Sequence, residues 1–122
     1  MKINKVAEIL FNYDLNNPIV YSIIMIEDMQ RWTDESEWET LKSVKQLVKN
    51  LKYLEKKYNT KFDYESLKSL KKRDFKNTDF FSISNILIKQ FINTFKDLFE
   101  NPKKVLSKYE IYWLSVNNYN CF

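Results

Sequence analysis

The sequence predicts an all-α fold, a compact bundle of five or six helices that forms a single domain over residues 1–122. Apolar residues recur with a helical period through nearly the whole chain. No pair of alternating runs joined by a tight turn suggests a hairpin. The 122 residues are 44% hydrophobic and 30% charged, a balance that is typical of folded domains and too apolar for disorder.

The first three predicted helices cover residues 4–12, 18–32 and 34–58. The second is apolar almost all round, and a helix without a polar face is expected to be buried. The third carries its apolar residues within an arc of about 140° on a helical wheel. Acidic residues occupy its first turns and lysines its last turns, so its charges complement the helix dipole.

Three further helices are predicted: a short one after residue 63, a long one over residues 79–99, and a last one over residues 102–117. The chain has no Gly, and we expect Asn to replace it at the helix junctions. Asn tolerates left-handed backbone, and its side chain hydrogen-bonds to nearby amides. The junctions are expected at residues 16–18, 59–60, 77–79 and 101–102.

Most catalytic and cofactor motifs are excluded by the residue types that the chain lacks. Without Gly it has no phosphate-binding loop, dinucleotide fingerprint or hydrolase nucleophile elbow. Without His, and with the single Cys121, it has no Ser-His-Asp triad, no imidazole metal ligand and no Cys-rich zinc site. The spacing of its 16 acidic residues singles out no catalytic pair. We therefore expect no enzyme activity, no cofactor and no metal.

The sequence also favours a cytoplasmic protein, which would be the host cytoplasm for a viral chain. The start of the chain has no hydrophobic run long enough for a signal peptide. Its longest nearly apolar run, residues 18–26, is far shorter than the roughly 18 residues that span a bilayer. Lys outnumbers Arg 18 to 2, a bias typical of low-GC coding that hints at a bacterial, phage or viral source.

Charge is segregated along the chain. Residues 1–41 hold 3 basic and 8 acidic side chains, residues 42–77 hold 12 and 4, and residues 78–122 hold 5 and 4. Five lysines of the basic segment, spaced 3, 4, 3 and 4 apart, fall on one outward face of the third helix. These five residues form the lysine stripe: Lys42, Lys45, Lys49, Lys52 and Lys56. A second basic cluster follows in the next helix: Lys68, Lys71, Lys72 and Arg73.

Two interpretations of these basic residues are open. They can bind phosphate groups or an acidic protein surface, or they can form an ordinary solvated face. Arg makes the bidentate contacts that read bases, and the lysine stripe contains none. Nucleic-acid binding through the stripe would therefore be salt-sensitive and weakly sequence-specific.

Three apolar residues are candidates for binding a partner protein. Trp38 falls on the lysine side of the third helix, where it either anchors a partner or folds back against the preceding loop. In the last helix Tyr112 and Trp113 are expected to face inward, with Ile111 and Leu114 on the opposite side. A terminal helix that is apolar on both sides is either central to the bundle or an interface, for example of a homodimer.

The leading hypothesis is a non-enzymatic protein-binding module that occupies a partner's surface, in the setting of a phage or mobile-element inhibitor of the anti-defence or anti-CRISPR kind. In length and helix count alone, the chain resembles small bacteriocin-immunity bundles and the compact inhibitors that phages use against host defences. Neither resemblance transfers a residue, and many phage inhibitors are acidic DNA mimics whereas this chain is basic. The alternatives are a weakly sequence-specific nucleic-acid-binding protein that uses the lysine stripe, and a bacteriocin-immunity-type helical bundle.

Overall fold

The computed structural model describes residues 3–32 and 37–114, with the backbone alone at 37–40. This part of the chain contains helices and no strand, which confirms the all-α prediction. The α-helices are α1 (Ile3–Leu10), α2 (Pro18–Asp28), α3 (Glu37–Tyr58), α4 (Glu65–Lys68), α5 (Phe80–Thr94), α6 (Lys96–Glu100) and α7 (Pro102–Val105). Short 3₁₀ helices follow α2 (Met29–Arg31), α4 (Lys72–Asn77) and α7 (Leu106–Tyr109).

Asn side chains and backbone begin and end helices, as the absence of Gly predicts. At the start of α2 the Asn17 side chain accepts hydrogen bonds from the amides of Ile19, at 2.9 Å, and Val20, at 3.3 Å, and Pro18 occupies the first turn. At the end of α3, Asn59 adopts left-handed backbone with φ 50°. The amide of Thr60 then donates to the Glu55 carbonyl at 3.1 Å, which closes a Schellman turn.

The core lies between α2, α3 and α5. α2 packs against α1, α3 and α5. On α3 the fully buried residues recur every three or four positions along one side: Val44, Leu47, Leu51 and Leu54. The two segments after α3, α4 and the 3₁₀ helix Lys72–Asn77, pack back against it.

An aromatic cluster joins the far end of α3 to α5 and to the last 3₁₀ helix. Phe95 is fully buried at its centre, and the Tyr58 and Tyr109 rings meet it edge-on at centroid distances of 5.1 Å and 5.5 Å. Phe91 lies 5.3 Å from Phe95 and stacks on Phe62 at 4.8 Å. Edge-on pairs contribute about 0.5–1.5 kcal/mol beyond the area they bury.

The predicted helix over residues 79–99 is interrupted. It begins as expected, with the Asp79 carboxylate accepting from the Ser82 amide at 3.1 Å, but the backbone of Phe95 leaves the helical region (φ −115°, ψ 44°). α6 continues after this break. The apolar period runs through the break because Phe91, Phe95 and Leu98 are all buried, so periodicity alone gives no sign of it.

The prediction of a last helix over residues 102–117 is wrong within the described residues. The helical turns end at Tyr109, because Glu110 takes left-handed backbone (φ 57°, ψ 38°) and the amide of Ile111 donates to the Leu106 carbonyl at 3.2 Å. This Schellman turn sends residues 111–114 back in a non-helical path. Residues 115–117 of the predicted helix lie outside the described part of the chain.

Candidate functional site

A groove of about 590 Å³ lies between the α1–α2 loop, α2 and α3. The loop contributes Phe11 and Leu15 to its wall, and both are exposed, at 66% and 41%. We call this cavity the Phe11 groove. Its full lining consists of Phe11, Leu15, Asn16, Tyr21, Ile24, Met25, Asp28, Gln46 and Asn50.

The floor of the Phe11 groove is a side of α2 whose apolar residues are only partly buried among the described residues. Ile23 and Ile26 are fully buried in the core, whereas Ile24 and Met25 are only half-buried and line the groove. The prediction that α2 is buried all round is therefore correct for one side and wrong for the other. A partly exposed apolar side that continues into exposed apolar residues of a loop is a candidate interaction surface.

Hydrogen bonds fix the wall that α3 contributes. The Tyr21 hydroxyl donates to the Ser43 carbonyl at 3.3 Å and so links α2 to α3. Burial raises the pKa of this hydroxyl above its ordinary value. One turn further, the Gln46 side chain donates to the Asn50 side chain at 3.0 Å. The α3 side of the groove is therefore polar and uncharged.

The opposite end of the groove is acidic. A second cavity of about 390 Å³ continues from Phe11 and Ile24 along α1, and three carboxylates line it: Glu8, Glu27 and Asp28. Arg31 lies within 2.6 Å of Glu27 and 3.2 Å of Asp28, and these contacts raise its pKa. One Arg faces three carboxylates, so this end keeps a net negative charge.

Aromatic side chains surround the α1–α2 loop. Residues 12–14 pair with residues 112–114: the Asp14 amide donates to the Tyr112 carbonyl at 3.1 Å, and the Leu114 amide donates to the Asn12 carbonyl at 3.2 Å. The Tyr13 and Trp113 rings meet edge-on at 5.3 Å. Tyr112 and Trp113 remain 68% and 59% exposed, so this pairing presents two large rings to solvent beside the loop.

The lysine stripe is exposed along its whole length. No carboxylate among the described side chains lies within 4 Å of any of its five ammonium groups. The second basic cluster is also exposed and sits on segments that pack against α3. Within that cluster Lys68 pairs with Glu65 at 2.7 Å, and this contact lowers the pKa of Glu65. Lys52 of the stripe also lowers the pKa of Glu65, the partner of Lys68.

The lysine stripe and the Phe11 groove are adjacent strips of one helix. Gln46 and Asn50 of the groove wall directly follow Lys45 and Lys49 of the stripe. At about 100° per residue, the centres of the two strips are about 100° apart around α3. A single partner that covers this side of α3 can therefore contact both.

The structure places two of the three predicted partner-binding residues, and neither lies where the sequence predicts. Trp38 lies in α3, but its side chain is outside the described residues. Ile111 is buried, at 5%, and Leu114 is half-buried with its amide bonded to Asn12, so neither is an outward residue of a terminal helix. The residues expected to face inward, Tyr112 and Trp113, are the exposed ones. The prediction of a homodimer depends on an apolar face of a helix at residues 111–114, and these residues are not helical.

The titratable groups with shifted pKa values have structural partners. Hydrogen bonds from Lys108 and Tyr109 lower the pKa of Asp97 and join α6 to the last 3₁₀ helix. The Glu55 carboxylate accepts from the Phe62 amide at 2.8 Å and the Tyr64 hydroxyl at 2.7 Å, which holds the chain after α3 in place. The contacts of Asp97 stabilise the ionised form of its carboxylate.

Neither metal ligation nor membrane insertion is indicated in the described residues. They contain no group of three or more Cys, Asp or Glu side chains placed to hold a metal ion. None of their helices combines the length and the apolar character that crossing a bilayer requires. No family model matches the chain, and no similar protein is found among curated sequences or solved structures.

Proposed function

We propose that the protein is a non-enzymatic binding module that takes a segment of a partner protein into the Phe11 groove. The observation that carries this proposal is the exposure of Phe11 and Leu15 beside the half-buried Ile24 and Met25 of α2. Phe11 is 66% exposed, and a partner that covers it removes apolar surface from water.

The magnitude supports binding. A Phe side chain offers about 150–250 Å² for burial, so roughly 100–160 Å² of Phe11 is available to a partner. At about 25 cal/mol per Å² this surface contributes about 2.5–4 kcal/mol before the costs of association are subtracted. Phe11 is therefore the side chain of the groove whose burial by a partner would contribute most to the gross binding energy.

A setting as a phage or mobile-element inhibitor of a host system is part of the proposal. It is supported by the small size of the helical fold and by a binding surface that could occlude a partner without chemistry. Such an inhibitor acts stoichiometrically, and its affinity alone sets its effect.

Substitution of Phe11 with a matched control tests the binding function. Tagged wild-type protein, Phe11→Ala and Phe81→Ala are used to capture proteins from a lysate of the cells that make the chain. Phe81 is 57% exposed on α5 and belongs to neither groove cavity, so it is a control of the same residue type and similar exposure. We expect a stoichiometric partner with wild type and Phe81→Ala that is lost with Phe11→Ala. Equal loss or equal retention with the two variants would contradict the proposal.

A second candidate function is weakly sequence-specific nucleic-acid binding through the lysine stripe. The supporting observation is that the stripe has no carboxylate within 4 Å among the described side chains, and that the second basic cluster sits on segments that pack against α3. The test uses two double variants. One carries Lys45→Glu and Lys49→Glu in the stripe, and the control carries Lys103→Glu and Lys104→Glu, an equal charge change at exposed positions on α7. Binding of a random 30-base DNA should weaken, and lose part of its salt dependence, only in the stripe variant. Equal weakening in the two variants would show that DNA binding depends on the net charge of the protein and not on the stripe, which would contradict this second candidate function.

A further inference from the structure

We infer that the partner segment is an acidic amphipathic helix, whose apolar side enters the Phe11 groove and whose carboxylates lie over the lysine stripe. This inference rests on the proposed protein-binding function and specifies the chemistry of the partner. It follows from three features of the described residues: the adjacency of stripe and groove, the unpaired charge of the stripe, and the acidic far end of the groove.

The dimensions fit one helix. The centres of the stripe and the groove wall are about 100° apart on α3, which at a helix radius of about 5–6 Å is an arc of about 10 Å. A helix with its side chains is also about 10–12 Å in diameter. A helix seated against Gln46 and Asn50 thus has one flank directed toward Lys45 and Lys49.

The spacing of the lysines fits a row of carboxylates on a helix. From Lys42 to Lys56 the stripe rises about 21 Å at 1.5 Å per residue, with successive lysines three or four positions apart. Acidic residues at the same spacing on a partner helix repeat with the same rise and lie on one face. Ion pairs between exposed helices are individually weak, but a complementary row fixes the register and raises the association rate.

The far end of the groove repels negative charge. Glu8, Glu27 and Asp28 line the cavity that continues from Phe11, and Arg31 is the cation among its lining residues. A phosphate backbone that entered the groove would meet these carboxylates, which disfavours nucleic acid as its occupant. The same carboxylates require the end of the partner helix that reaches them to be neutral or basic.

Selection from a peptide library tests this inference, because it requires no identified partner. A display library of random 18-residue peptides is selected on four proteins. These are the wild type, the single variant Phe11→Ala, the stripe variant that carries both Lys45→Glu and Lys49→Glu, and the α7 control that carries both Lys103→Glu and Lys104→Glu. We expect wild type and the α7 control to select peptides with negative net charge and apolar residues at helical spacing. Selection on Phe11→Ala should lose these peptides, and the stripe variant should bind them at least tenfold more weakly.

The outcomes separate the two proposals. Selected peptides that depend on Phe11 but show no acidic enrichment would overturn the acidic-helix inference and leave the binding function intact. Peptides that bind Phe11→Ala as well as wild type would overturn both. If acidic peptides bind the stripe variant and the α7 control with the same reduced affinity, the claim that the stripe contacts the carboxylates of the partner would be overturned. Circular dichroism spectra of all variants confirm that the helices are retained, which the exposure of the substituted side chains leads us to expect.

Discussion

Glu110 has the conformation in which Gly is usually found, and replacing it should stabilise the protein. Its backbone lies in the left-handed region (φ 57°, ψ 38°) at the turn that ends the last 3₁₀ helix. This conformation costs about 1–2 kcal/mol for a residue with a Cβ atom, whereas Gly costs about 0.4–1 kcal/mol through the greater freedom of its unfolded chain. The difference leaves about 1 kcal/mol in favour of Gly.

The comparison that isolates this effect is Glu110→Gly against Glu110→Ala. Both variants lose the carboxylate, which lies 4.0 Å from the Lys57 ammonium in an exposed pair, so the loss of that pair cancels. The backbone strain is kept by Ala and removed by Gly. For a chain of this length, 1 kcal/mol corresponds to about 4 °C in melting temperature, so Glu110→Gly should melt about 4 °C above Glu110→Ala.

The assay is thermal unfolding followed by circular dichroism at one concentration and pH. Lys89, an exposed residue inside α5, is the control position, and there the order of Lys89→Gly and Lys89→Ala should reverse because Gly costs about 1 kcal/mol relative to Ala within a helix. A Glu110→Ala variant as stable as Glu110→Gly would refute the assignment of left-handed backbone to this residue. A control pair with no reversal would show that the assay does not resolve backbone effects.

Three further predictions concern the core and one ion-paired carboxylate. Phe95→Ala should lower the free energy of unfolding by about 3–5 kcal/mol, because it empties the centre of the aromatic cluster, and urea denaturation would measure this. Ser22→Ala should raise the melting temperature, because the Ser22 hydroxyl is fully buried without a hydrogen-bond partner among the described residues; a lower melting temperature would contradict this. Hydrogen bonds lower the pKa of Asp97 in the folded state, so its stabilising contribution is complete above the unfolded value near 4 and is lost as the pH falls through the folded pKa. Asp97→Asn should therefore be less stable than wild type at pH 7, and this difference should shrink on acidification; an equal difference at pH 7 and pH 2 would refute this role of Asp97.

The sequence alone predicts the features of the fold that depend on local chemistry. Asn17 and Asn59 are recognisable as junction residues because a side-chain cap and a left-handed turn each depend on one residue type in one place. The exposure of the lysine stripe follows from helical geometry in the same way. Its binding role stays a prediction.

The features that the sequence does not predict depend on distant contacts. The chain reverses at Glu110, a residue type that seldom ends a helix, and no Pro or Gly marks the turn. Its direction is fixed by pairing with residues 12–14. The groove escapes sequence prediction for a related reason: Phe11 and Leu15 lie in a loop, where no period shows which side chains remain uncovered. The available signal is that Phe11, Tyr13 and Leu15 alternate with polar residues just before the Asn17-Pro18 junction.

The pairing of residues 12–14 with 112–114 has a consequence for when the binding surface exists. These segments are nearly a hundred positions apart, and closing so long a loop carries a large entropic cost that is recovered only after the helices between them have packed. The α1–α2 loop therefore acquires its final shape late in folding. A chain still being synthesised has its first two helices but lacks the segment that supports the loop. Under the proposed function, binding would then require the completely folded molecule, and hydrogen exchange at the amides of Asp14 and Leu114 would report when the loop is formed.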